Sequence, residues 1–208
     1  LDRDKGANTG GMGAYSPPRF ATAELLAEIE RRVLLPTVHA LAAAGEPFRG
    51  LLYAGLMITG DGLSVLEFNC RFGDPETQVV LPRLRSDLLT LCEAVARGRL
   101  DQAPPLAWND EAACGVVVVS GGYPGPYAKG LPIHGLDTLD DDLLVFHAGT
   151  QRVADGQIVT SGGRVLTLVA RGATVAAARA RVYANIERVR FAGARWRGDI
   201  AAREAPDA

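Results

Sequence analysis

Cysteine and histidine are scarce in this chain of 208 residues, with three of each. Cys70, Cys92 and Cys114 lie about 22 residues apart and form no C-x-x-C pair. A disulfide framework is therefore excluded, and the thiols read as reduced, as expected of a cytoplasmic protein. His39, His134 and His147 are scattered without ligand spacing, which argues against a zinc site. Long apolar runs are missing: Val116–Val119 and the leucine-rich patches fall far short of the roughly 20 residues that span a bilayer, so no membrane partner is expected. Charge of one sign is lacking as well. Lys and Arg total 22 against 24 Asp and Glu, a net charge of −2, which offers no global field for nucleic acid and leaves only a local basic pocket open. Absent too are G-x-S-x-G, a Walker P-loop, a G-x-G-x-x-G after a strand, internal repeats and low-complexity segments. The opening Leu1-Asp2-Arg3-Asp4-Lys5 is neither an initiator Met nor a basic-then-apolar leader, and reads as the continuation of something longer.

What is present is ordinary globular composition, 48% hydrophobic and 22% charged, enough for a sizeable core in one large domain or two small ones. Residues 1–16, rich in Gly, Asp and Asn, read as a loop. Thr22 is a candidate N-cap for a helix whose Leu25, Leu26, Ile29, Val33 and Leu34 recur at helical spacing. Pro36 should kink or restart it, and Gly45 should close it. Leu51–Thr59 and Leu63–Asn69 read as strands joined at Gly60-Asp61-Gly62, a hairpin signal. Ser86-Asp87 should cap a short helix through Arg97. The Pro-rich stretch around Pro104-Pro105 marks a boundary, giving domains 1–105 and 106–208. Beyond it, Cys114–Ser120 and Leu143–Phe146 read as strands, residues 121–135 as a Gly/Pro loop, and Gln157–Thr160 with Arg164–Ala170 as a second hairpin. Thr174 should cap a helix with Val175, Ala178, Val182 and Ile186 on its apolar face. The polar, Ala-rich end from Phe191 to Ala208 is expected to fray.

The most informative stretch runs from Val65 to Gln78. Side chains alternate along a strand, so Glu67, Asn69 and Arg71 should share one face while Leu66, Phe68 and Cys70 share the other, with Cys70 a core thiol. A carboxylate and an amide oxygen suit a hard cation such as Mg²⁺ or Mn²⁺. A guanidinium beside them suits a phosphate. The alternative is a solvated strand face carrying a Glu–Arg pair. Gly10, Gly11, Met12 and Gly13 form a loop whose backbone N–H groups could approach an anion closely, or an ordinary flexible turn. Lys129 and Arg164 each lie at a Gly-rich turn, as a second phosphate contact would, or as plain surface cations.

Two long strings, Asp4-Lys5-Gly6-Ala7-Asn8-Thr9-Gly10-Gly11-Met12-Gly13-Ala14-Tyr15-Ser16-Pro17 and Leu66-Glu67-Phe68-Asn69-Cys70-Arg71-Phe72-Gly73-Asp74-Pro75-Glu76-Thr77-Gln78, closely resemble the phosphoribosylamine–glycine ligase (glycinamide ribonucleotide synthetase) family. So do Gly122-Tyr-Pro, His147-Ala-Gly-Thr150, Thr160-Ser-Gly-Gly-Arg-Val165 and Arg197-Gly-Asp199-Ile200, and the resemblance extends from residue 2 to about 203. It implies an α+β fold: the second half of an ATP-grasp domain, an antiparallel sheet with helices, followed by a small β-rich C-terminal domain. It implies an enzyme of de novo purine synthesis that uses ATP to turn glycine into glycyl phosphate. The amine of 5-phosphoribosylamine then takes the glycyl group, giving glycinamide ribonucleotide, ADP and phosphate. By that pattern Glu67 and Asn69 hold Mg²⁺ or Mn²⁺ and Arg71 faces the transferring phosphoryl group. The Gly10–Gly13 loop and Asp74 sit against glycine and phosphoribosylamine, and Lys129 and Arg164 meet the phosphoribosyl phosphate. The family's N-terminal half is absent, so that half becomes an expected partner. Leu51–Thr59 carries no acidic residue, so a second carboxylate ligand is not visible. A non-catalytic fragment that binds a partner or nucleotide weakly stands as the alternative. Another ATP-grasp carboxylate–amine ligase is disfavoured by the closeness of both strings.

Overall fold

Every residue from Ala112 to Val119 is buried, and this strand is one of the two central members of the larger sheet. The structure, a computed structural model, describes residues 1–205. In chain order they form β1 (Gly13–Ser16), α1 (Ala23–Ile29), a π-helical turn (Glu30–Leu34), α2 (Leu35–Ala43), β2 (Tyr53–Thr59), β3 (Gly62–Asn69) and α3 (Thr77–Val80). After these come α4 (Leu88–Ala96), β4 (Ala112–Val119), β5 (Leu144–His147), β6 (Thr150–Arg152), β7 (Ile158–Thr160), β8 (Arg164–Gly172) and α5 (Val175–Ile186). Helices and purely antiparallel strand pairs make this an α+β chain, as expected. The residues divide into two units that interleave along the sequence: 1–18, 74–83 and 109–208 in one, and 19–73 with 84–108 in the other.

The first unit is built on a four-stranded sheet of order β1-β4-β8-β5. β4 is apolar throughout and β8 is buried from Val165 to Ala170, because both faces of these central strands are covered. On β4, Ala112, Cys114, Val116 and Val118 pack towards α5, while Ala113 packs with Val79 of α3 and Val169 of β8. That is the period-2 alternation of a strand with a layer on each side. Thr174 caps α5 by accepting from the Ala177 N–H at 3.1 Å. The expected apolar stripe, Val175, Ala178, Val182 and Ile186, is buried. Each of Val182 and Ile186, wholly buried, contributes about 1.5–3 kcal/mol by leaving water. Burial in the same layer pushes the Cys114 thiol up to about 12, so it is a packing group and not a nucleophile.

Three expectations change in this unit. Residues 13–16, read as loop, form β1, because the otherwise open edge of β4 accepts them in the register Gly13↔Val116 to Ser16↔Ala113. The second hairpin does not form between residues 157–160 and 164–170. β8 already has β4 on one side and β5 on the other, so β7 pairs with β6 instead. The terminal segment is packed and not frayed as far as it is described: Phe191, Ala201 and Glu204 are buried. Residues 206–208, the rest of that expectation, lie outside the described residues.

The second unit carries the long helical stretch and the first hairpin. Thr22 caps α1 by accepting from the Leu25 N–H at 3.3 Å, and Asp87 caps α4 by accepting from Thr90 N–H at 2.7 Å. Pro36 sits in the first turn of α2, where a missing N–H costs nothing, so the helix restarts there after the π-helical turn. β2 and β3 pair from Tyr53↔Asn69 to Thr59↔Gly62, with a bulge at the Gly55–Leu56 step that leaves Leu66 without a partner.

Candidate functional site

β3 ends at Asn69, two residues after Glu67, so both side chains leave the strand on one side near its end. Asn69 Nδ2 donates to Glu67 Oε1 at 3.0 Å. Gly55 lies opposite Glu67, and a Cβ there would come within 3.0 Å of Glu67 Cγ, so the glycine makes room for this carboxylate. The amide hydrogen bond leaves Asn69 Oδ1 and Glu67 Oε2 as oxygen donors, the set that a hard divalent cation takes. Among the described residues no group of three or more His, Cys, Asp and Glu could hold a metal, and β2 adds no carboxylate. Phosphate oxygens and water would have to complete the shell.

Arg71 departs from the expected row. The strand stops before it, and its Nη1 donates to the Phe72 carbonyl at 2.9 Å. Cys70 is likewise past the strand end and exposed, not a core thiol, because alternation says which residues share a face but not which face is covered.

The other expected residues lie in the first unit, and four of them meet. Arg164, at the start of β8, donates through Nη1 to the Gly11 carbonyl at 3.2 Å and to the Asp74 carbonyl at 2.9 Å. Its Nη2 donates to Asp74 Oδ2 at 2.9 Å. The other carboxylate oxygen of Asp74 accepts from Gln78 Nε2 at 2.9 Å, while Gln78 Oε1 is buried without a partner. Gly10 donates its N–H to the Tyr123 hydroxyl at 3.1 Å. Gly11 is required by close approach, since a Cβ there would fall 2.3 Å from Pro75 Cδ. Gly163 is required for the same reason against the Tyr123 ring, also at 2.3 Å. Gly13 opens β1, and Met12 accepts from the Val117 N–H at 3.0 Å, which ties the glycine-rich loop to the sheet. Lys129 stands apart from this junction, exposed on the long Gly/Pro loop, next to Gly130, which donates to the Thr160 carbonyl at 2.6 Å.

Beside the junction lies a cavity of about 520 Å³, lined on one side by Gly6, Thr9 and Met12 and on the other by Tyr123, Trp196 and Arg197. That volume is within the usual range for small-molecule sites. Tyr123, Trp196 and Arg197 received no role from sequence reasoning. Tyr123 and Arg197 were signalled only by membership in the Gly122-Tyr-Pro and Arg197-Gly-Asp199-Ile200 strings, and Trp196 by nothing but its place next to the second.

Comparison with known proteins decides what this arrangement is related to. Residues 1–77 match the family described as "Phosphoribosylglycinamide synthetase, ATP-grasp (A) domain", and residues 113–203 match "Phosphoribosylglycinamide synthetase, C domain". The chain belongs to the phosphoribosylglycinamide synthetase family. A phosphoribosylamine–glycine ligase of Halalkalibacterium halodurans is 50% identical over 201 residues, covering 96% of this chain and 46% of that protein. Another, of Streptomyces coelicolor, is 50% identical over 209 residues, covering 99% of this chain and 50% of that one. The crystal structure of phosphoribosylamine–glycine ligase from Thermotoga maritima superposes with a TM-score of 0.83 at 36% identity, over 96% of this chain and 49% of that chain. The biotin carboxylase domain of Hydrogenobacter thermophilus 2-oxoglutarate carboxylase, at 16% identity and TM-score 0.58 over 89% of this chain and 40% of that one, shares the fold. The chain thus spans about half the length of the synthetase relatives it matches. No helix of the described residues is long and apolar enough to cross a membrane.

Proposed function

We propose that this chain supplies the metal-binding and acceptor-binding part of a cytoplasmic phosphoribosylamine–glycine ligase. The reaction joins glycine to 5-phosphoribosylamine at the expense of ATP, through glycyl phosphate, and releases glycinamide ribonucleotide, ADP and phosphate. The observation that carries this reading is the paired Glu67 and Asn69, two oxygen donors held by a 3.0 Å hydrogen bond at the end of one strand. The domain division follows the same reading, with residues 1–105 the later part of the ATP-grasp domain and 106–208 the C-terminal domain.

The chemistry brings anions together, because a carboxylate must attack a triphosphate. Glu67 and Asn69 would hold the divalent cation, Mg²⁺ or Mn²⁺. When bound, that ion offsets charge on the nucleotide phosphates and the transferring group. Arg71, exposed beyond β3, adds a fixed positive charge for the phosphoryl group in flight. The glycine-rich loop presents backbone N–H groups and excludes side chains, which leaves room for glycine and the phosphoribosylamine. Asp74, oriented by Arg164 and Gln78, is the group assigned to accept from the attacking amine. Arg164 keeps its Nε–H and one Nη2 proton for the phosphoribosyl phosphate, and Lys129, outside the junction on its exposed loop, is the second cation assigned to that phosphate.

ATP- and glycine-dependent formation of glycinamide ribonucleotide, measured with and without the N-terminal half, tests the proposal. Product only when both halves are present supports it. No product from a properly assembled pair points instead to a folded, non-catalytic remnant.

A further inference from the structure

Arg3 and Asp4, at φ 58° and φ 54°, occupy the left-handed region that side chains other than glycine avoid. Something must keep them there, and the far end of the chain does so. Asp199 Oδ2 accepts from the Arg3 N–H at 2.7 Å. The Gly198 N–H donates to Asp2 Oδ1 at 2.9 Å, and Arg197 Nη2 donates to Asp4 Oδ1 at 3.0 Å. Arg197 and Asp199 in turn grip each other as a fork, through Nε to Oδ1 and Nη2 to Oδ2, both at 2.7 Å.

This clasp is anchored from behind by α5. Arg179 donates to the Ile200 carbonyl at 2.9 Å and to the Gly198 carbonyl at 2.8 Å. The Tyr183 hydroxyl donates to the Arg197 carbonyl at 2.6 Å and accepts from the Ile200 N–H at 3.2 Å. The Arg179 guanidinium lies over the Tyr183 ring, 4.6 Å from its centre. Hydrogen bonds from Arg197 hold the Asp199 carboxyl well below the usual carboxylate range. On one side of the clasp is a packed helix. On the other is the chain that leads directly into Gly6, Thr9 and Met12, the wall of the cavity that Trp196 and Arg197 face.

We propose that Arg197 and Asp199 are positioning residues for the ligase: they hold Arg3 and Asp4 in the left-handed conformation and so set the glycine-rich loop in its substrate-binding form. The inference rests on the assignment of Gly10–Gly13 to glycine and phosphoribosylamine. In this proposal both act through the loop, although Arg197 also lines the cavity; Asp199, which does not, separates the two effects.

The test uses the complete ligase, this chain together with its N-terminal half, carrying Arg197→Met or Asp199→Asn. Releasing the clasp lets residues 2–4 relax, so the KM values for phosphoribosylamine and glycine should rise about tenfold while the KM for ATP stays within about twofold. Hydrogen exchange of amides in residues 2–13 should quicken by a similar factor, with β4 and β8 unchanged. Adding Arg3→Gly and Asp4→Gly to Arg197→Met should recover much of the KM, because glycine takes a positive φ without penalty. Arg197→Lys, which keeps the charge and loses the fork, should recover little. Equal losses for all three substrates, failure of the glycine rescue, or unchanged exchange in residues 2–13 would overturn the proposal. If the unsubstituted complete protein makes no product, the ligase reading falls, and the exchange data alone decide whether the clasp sets the loop.

Discussion

The guanidinium of Arg164 reaches back 90 residues to hold both the carboxylate and the backbone carbonyl of Asp74. A third hydrogen bond, to Gly11, brings the glycine-rich loop to the same point. Arg164→Ala should therefore act twice. It removes charge-assisted hydrogen bonds at a partly buried site, costing about 1–2 kcal/mol of stability in urea unfolding. It should also raise the KM for phosphoribosylamine more than that for ATP. Equal effects on ATP, glycine and phosphoribosylamine would take Arg164 away from the phosphate.

Glu67→Gln keeps the size and the strand but removes the negative charge and one of the two side-chain oxygens. In the complete enzyme, metal-dependent turnover should fall by at least roughly tenfold. The circular-dichroism spectrum and melting temperature should not move, because Glu67 is exposed. Activity equal to that of the unsubstituted enzyme would make Glu67 a solvated strand residue and nothing more.

Gly11→Ala should be costlier than Gly10→Ala. The added methyl at position 11 meets the ring of Pro75 at 2.3 Å, so loop or proline must shift, a clash worth about 1–3 kcal/mol. At position 10 the nearest atom is the Tyr123 hydroxyl at 3.2 Å, the far end of a side chain that can give. Urea midpoints of the two variants should rank in that order.

The Arg197–Asp199 pair carries a pH signature. Asp199 is held below its unfolded-state value of about 3.9, so its contribution is fully present above that pH and fades as pH falls towards the depressed native value. The stability difference between the unsubstituted chain and Asp199→Asn should be constant from neutrality to about pH 5 and shrink below about pH 4. A difference that grows on acidification would contradict the pairing.

Much of this was legible in the residues, for identifiable reasons. All three helix caps follow from Thr22, Asp87 and Thr174, side chains whose oxygen satisfies a first-turn N–H locally. The β2–β3 hairpin follows from a local turn and flanking apolar runs, and Glu67 and Asn69 sit where period-2 alternation puts them. What failed depends on distant partners. Nothing in Gly13–Ser16 says strand; the edge of β4 does. Nothing in Ile158–Thr160 says that β8 is already occupied on both sides. The role of Arg197 and Asp199 was invisible because their partners, Asp2, Arg3 and Asp4, lie at the opposite end of the chain.

The edge strand has a consequence for how the protein is made. β1 is synthesised well before the strand it pairs with, and its register, Gly13 against Val116, closes a loop of about a hundred residues. β4 itself needs β8, so the sheet cannot assemble until residue 172 has been synthesised. During that interval the valine-rich β4 waits without β8, the circumstance in which strands pair with the wrong chain. A polypeptide starting after residue 105 would keep β4 and lose β1 permanently, and should aggregate where the longer chain stays dispersed.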